Sequence, residues 1–231
     1  MPRKPVAKPI RKPAPAPVAL DVYDVAQLAA AVKVLAKQCE IMKAAHKAIG
    51  VPLWRTREGG YAGLASIIAY QQLSTKAAAT IWGRVAALIG KITPENVLAA
   101  SETDLRACGL SRPKISHIRS IAQAVVDGRL SFRRLAKSPD DAAREELMAV
   151  KGIGPWTADI YLMFVLGRHD LFPHADIGLS EAYRMISGER KRHPPKKFLK
   201  TSERWRPYRG VAAVMLWSYI NAARDAKQPA S

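Results

Sequence analysis

Residues 147–167 read LMAVKGIGPWTADIYLMFVLG. An apolar helical stretch leads into a turn holding Gly152 and Gly154, and a second helical stretch starts at Pro155. Glycine lets the backbone bend tightly, and proline suits a first helical turn because the N–H it lacks would have no intrahelical acceptor. Bare amides at the start of the second helix can face a phosphate without side-chain obstruction. The pattern predicts two helices joined by a hairpin suited to backbone contact with DNA; an ordinary αα turn has the same spelling.

Outward from the hairpin the apolar period stays helical. Val22, Val25, Leu28, Val32 and Leu35 recur every three or four residues, and so do Ile115, Ile118, Ile121, Val125 and Val126 before a stop at Gly128. Thr93 followed by Pro94 and Glu95 marks a helix start, and Ser101 with Asp104 forms a capping-box signal. No run alternates apolar and polar residues in the way a half-buried strand requires. The fold class read from this is all-α, with about ten helices joined by short loops.

The 231 residues carry 37 Lys and Arg against 19 Asp and Glu, a net charge of +18, which suits a polyanionic partner. Much of it is concentrated. Residues 1–20 hold six prolines and five Lys or Arg without an acid, and residues 188–209 hold nine Lys or Arg against two Glu. The first block reads as a disordered basic tail, since proline at that density blocks helix formation. No apolar run approaches the roughly 18 residues of a membrane span, and the N-terminus lacks a secretory apolar stretch, so an intracellular, soluble protein is expected. With only Cys39 and Cys108, a four-cysteine cluster, a Cys-rich zinc site and a disulfide framework are excluded. Both read as buried thiols.

Four motifs then occur in a fixed order. I-x-x-Q-Q-x-S-x-K-A-A begins at Ile68, L-x-x-V-x-G-I-G-x-W-T-A at Leu147, F-P-x-x-D-x-G at Phe172, and W-x-P-x-R-x-x-A-x-x-x-L-W at Trp205. In this order they resemble the helix–hairpin–helix DNA glycosylase superfamily, and the last motif resembles its alkylpurine branch, DNA-3-methyladenine glycosylase II. The resemblance covers about residues 21–223 and implies a glycosylase domain over 21–231. One lobe would run over 52–156, the other over 21–51 plus 157–223, with a DNA-binding cleft between them.

Carried over by position, the resemblance makes Asp176 the catalytic carboxylate. Breaking a base–deoxyribose bond builds positive charge on the sugar, which a carboxylate can stabilise while it orients water. Trp156 stands where bifunctional relatives carry a Schiff-base lysine, which implies a monofunctional enzyme without strand cleavage. Trp156 and Trp217, with Tyr70 closing, match the base pocket, where aromatic faces attract cationic alkylpurines; a core role for both tryptophans competes with this. Ile160 replaces a pocket aromatic of the bacterial relative. Gln72 matches the wedge that fills the gap left by a flipped base, with Leu73 as substitute and Gln71 hydrogen-bonded inside the fold. Lys151, Gly152, Gly154 and Arg209 are expected to contact DNA, with a solvated lysine as the alternative at 151 and pairing with an acid as the alternative at 209. The carbonyls of Met148, Val150 and Ile153 match positions that can hold a structural Na+ or K+, and no cofactor is required. The implied partner is damaged double-stranded DNA, bound by a monomer, and the implied substrate is 3-methyladenine or 7-methylguanine. The alternatives are a glycosylase for hypoxanthine, uracil or oxidised purines, and a non-catalytic DNA-binding module.

Overall fold

The computed structural model describes residues 25–226; the basic segment 1–20 and Val22 lie outside them. The described residues form helices without strands: α1 (Val25–Gln38), α2 (Glu40–Ile49), α3 (Gly60–Tyr70), α4 (Thr75–Ile89), α5 (Pro94–Ala99), α6 (Glu102–Ala107) and α7 (Arg112–Val126) come first. There follow α8 (Phe132–Lys137), α9 (Asp140–Met148), α10 (Pro155–Phe164), α11 (Ile177–Ser187), α12 (Pro195–Ser202), a 3-10 turn (Glu203–Trp205) and α13 (Arg209–Asp225). The all-α reading holds, with more helices than periodicity alone suggests. The surplus is short: α5, α6 and α8 have six residues each, too few to display a repeating apolar face. Caps define them instead. Thr93, Ser101 and Ser131 each accept a hydrogen bond from the backbone amide three residues on, and the Ser101 hydroxyl also donates to the Asp104 carboxylate at 2.6 Å.

The long helices follow their apolar faces. Leu28, Val32 and Leu35 of α1 are buried, as are Ile115, Ile118 and Ile121 of α7. Val25 and Val126 are exposed. α3, α10 and α13 are apolar nearly all round, which marks them as interior helices. α13 packs on α1, α2 and α11, whereas α7 packs on α3, α5 and α6. α10 lies against both α9 and α3 and so brings the hairpin to the first helix group.

The second basic block is part of the core on its inner side. Phe198 and Trp205 are fully buried and meet Phe172 and Tyr183 largely edge to face, with ring centroids 4.9–6.3 Å apart. Cys39 and Cys108 are buried free thiols, as expected. No described helix is long and apolar enough to cross a membrane.

Candidate active site

Two short hydrogen bonds close the hairpin between α9 and α10: Val150 N–H donates to Leu147 O and Ile153 N–H to Val150 O, each at 3.1 Å. Gly152 has φ +98°, and a Cβ placed on it would stand 2.5 Å from the Cβ of His117 in α7. Conformation and space therefore both require glycine there. Gly154 differs. Its backbone is extended (φ −90°, ψ 173°) and open space surrounds it, so the expectation that both glycines bend the chain is corrected: Gly154 caps α10 and leaves the first-turn amides uncovered. Lys151 and Met148 are exposed at this edge.

A buried ion pair fastens the two flanking helices. Arg144 of α9 donates to Asp159 Oδ1 of α10 from Nε at 2.8 Å and Nη2 at 2.5 Å, and the Asp159 side chain is 2% exposed. Burial raises the Asp159 carboxyl above its usual range, and the charge of Arg144 pulls against that rise.

Asp176 is the N-cap of α11. Its Oδ1 accepts the Leu179 amide at 2.9 Å, the ordinary capping bond. The same carboxylate is also reached from two distant helices: Trp156 Nε1–H of α10 donates to Oδ2 at 2.8 Å, and Trp217 Nε1–H of α13 donates to Oδ1 at 3.2 Å. Three elements thus fix the position and plane of one half-buried carboxylate. Gly178 supplies the clearance, since a Cβ on it would come within 3.0 Å of Oδ1. Both tryptophans are half-buried and pack against the core.

Trp156, Ile160 and Phe164 share one face of α10 at four-residue spacing. Phe164 packs on Trp217 (centroids 6.0 Å) and on Trp54 (5.4 Å), extending an aromatic wall away from the carboxylate. A cleft of about 630 Å³ opens beside this wall, lined by Leu53, Arg55, Arg57, Phe164, Trp217 and Asn221 among others. The Arg57 amide donates to Phe164 O at 2.9 Å, and its guanidinium lies 5.4 Å over the Tyr70 ring. Phe164 was legible from its spacing to Trp156; Arg57, in a loop without helical pattern, carried no such signal.

After α3 the chain turns sharply. Gln72 is exposed with φ +56°, the left-handed region, at a cost of about 1–2 kcal/mol for an L-residue. Leu73 beside it is also exposed. Gln71 faces the other way, and its Nε2 donates to Thr157 Oγ1 of α10 at 2.8 Å, the internal bond expected of it.

Arg209 requires correction. It is 8% exposed, and its guanidinium donates to the Asp170 carboxylate at 3.0 Å and to Glu203 at 2.8 Å. Arg206 donates to the same two acids. Two cations of the basic block are therefore engaged by internal acids, and Arg209 is closed to a phosphate. Among the described residues no cluster of His, Cys, Asp or Glu is arranged to hold a metal ion.

Comparison with known proteins gives a consistent result. Residues 65–207 match the family model described as HhH-GPD superfamily base excision DNA repair protein. A DNA-3-methyladenine glycosylase of Schizosaccharomyces pombe is 34% identical over 161 residues, covering 68% of this chain and 71% of the relative. The solved structure of a 3-methyladenine DNA glycosylase from the same yeast, in complex with abasic DNA, superposes with TM-score 0.72 at 31% identity, over 81% of this chain and 95% of that one. A DNA-3-methyladenine glycosidase from Bacillus halodurans gives 0.70 at 34% identity, over 84% and 91%.

Proposed function

The chain belongs to the HhH-GPD superfamily of base excision DNA repair proteins, and from that premise we propose that it is a monofunctional DNA glycosylase for alkylated purines. It acts as a monomer on damaged duplex DNA, wherever the cell keeps its chromosome. The observation that carries the reading is the convergence of two indole N–H groups and a helix cap on Asp176.

As the bond from base to sugar lengthens, positive charge grows on the deoxyribose. Asp176 stands as a fixed negative charge against that cation and holds the attacking water, whose proton it can take. The tryptophans hold the carboxylate by their ring edges and leave their faces to a flipped purine; a purine made cationic by alkylation is drawn to such faces. Trp156 offers no amine, so no Schiff base forms and the product is an abasic site. The hairpin amides at Gly152 and Gly154 and the exposed Lys151 face the phosphates, Gln72 or Leu73 enters the vacated stack, and Tyr70 with Arg57 closes one side of the pocket. Na+ or K+ would be held by the carbonyls of Met148, Val150 and Ile153; the Val150 oxygen already accepts one hydrogen bond and keeps its second lone pair for the ion. Such an ion would supply positive charge beside the turn.

The test is to identify the bases liberated from methylated DNA by the protein and by Asp176→Asn. Release of 3-methyladenine or 7-methylguanine, falling at least about 100-fold in the variant while duplex binding persists, is the expected outcome. Release of hypoxanthine, uracil or oxidised purine alone would move the substrate class. Binding without release of any base would leave a DNA-binding module.

A further inference from the structure

The turn between α3 and α4 holds a residue of left-handed conformation and is exposed, yet it is tethered from two sides. One tether is the Gln71–Thr157 bond to the hairpin helix. The other comes from α7: Lys114 Nζ donates to Ala69 O and to Gln71 O, both at 2.8 Å. Ala69 lies in the last turn of α3 and Gln71 caps it, so the ammonium takes carbonyls that the helix itself leaves without donors. A cation is also well placed electrostatically at a helix C-terminus. Lys114 is half-buried, and burial lowers its pKa. One helical turn further along α7, His117 meets the hairpin at Gly152. A single helix thus supports the wedge turn with one residue and the phosphate-facing hairpin with the next on the same face.

We propose that Lys114 is a positioning residue for base flipping: its ammonium clamps the carbonyls of Ala69 and Gln71 and so presents Gln72 to the base stack in advance of DNA binding. The proposal rests on the glycosylase reading and on Gln72 as the wedge. Its chemistry is specific. A methionine of similar length fills the same space and provides no donor, whereas arginine keeps both charge and donors.

A double-mutant cycle in single-turnover base release from methylated duplex tests it, run at a temperature where circular dichroism shows every variant folded. Lys114→Met should slow release by about tenfold, the size of a lost charge-assisted hydrogen bond, with duplex affinity moving far less than the single-turnover rate constant. Lys114→Arg should restore most of the rate. In a Gln72→Gly background, where the wedge side chain and the left-handed strain are both gone, Lys114→Met should cost less than about twofold, because the two residues act as one device. A tenfold loss in both backgrounds, or none in either, overturns the assignment. Should Lys114→Met not fold, Lys114→Gln, which keeps donors and removes the charge, runs the same cycle: a loss confined to the Gln72 background supports the clamp, and an equal effect in both backgrounds overturns it. Wild-type rates in Gln72→Gly alone would remove the wedge and this proposal with it, whereas loss of activity in Asp176→Asn would still uphold the glycosylase reading.

Discussion

Asp159 belongs to the hairpin helix and Asp176 is bonded to it through Trp156, and each is held by N–H donors at 2.5–3.2 Å. The donors differ in kind. Asp159 is met by a guanidinium, which answers its charge in full, and the pair acts as a rivet between α9 and α10. Asp176 is met by two indoles and a backbone amide, all neutral, which fix its direction without cancelling its charge. The role proposed for Asp176, stabilising a growing cation, needs the second arrangement, since a resident cation would compete with the substrate. Geometry alone does not separate the two sites; the chemical class of the donor does.

The contrast can be broken first at the rivet. Arg144→Met leaves a buried carboxylate without its counter-ion and should cost about 3 kcal/mol of stability, read by denaturant titration. The sign with pH follows from the direction of the Asp159 shift, upward through burial and held back by Arg144. Without Arg144 the folded-state value climbs further above the unfolded value of about 4, so the deficit grows as pH rises through that window and shrinks on acidification. Base release below the melting temperature should be unchanged.

Next come the neutral donors. Trp156→Phe keeps an aromatic face, though a smaller one, and removes the bond to Asp176, and a slowing of about tenfold in base release is expected with little change in melting temperature. Trp217→Phe, whose bond is the longer at 3.2 Å against 2.8 Å, should slow it less. A loss of stability without a loss of rate would place these indoles with Arg144.

The smallest effect belongs to Glu203. Hydrogen bonding from Arg206, followed by the nearby charge of Arg209, holds its carboxyl below the usual range despite partial burial. Its contribution to stability is present above the unfolded value of about 4 and is lost as pH falls through the lower folded value. Glu203→Gln should flatten that part of the acid limb in a melting-temperature series and leave the rate untouched.

What the sequence disclosed was contiguous. The hairpin, Asp176 and the two tryptophans sit in short motifs whose residue types state their chemistry, and the caps at Thr93 and Ser101 are local by nature. What stayed hidden depends on partners far along the chain. Arg209 sits in a block of cations and so looked like a phosphate contact, whereas its acceptor Asp170 is 39 residues away. Lys114 resembles any lysine at a helix start, because its acceptors are backbone carbonyls 43 and 45 residues earlier and carry no side-chain signature. Gln72 could be proposed as the wedge from its motif, but its left-handed backbone carries no signature in the sequence.

The cap on α11 has an evolutionary corollary. Because one oxygen of Asp176 also ties down the amide of Leu179, a descendant that abandons catalysis still needs an acceptor at that position to start the helix. Inactive paralogues should therefore drift to Asn, Ser or Thr at 176 rather than to an aliphatic residue. Survival of such a side chain in a genome would then report an intact scaffold and say nothing about retained chemistry.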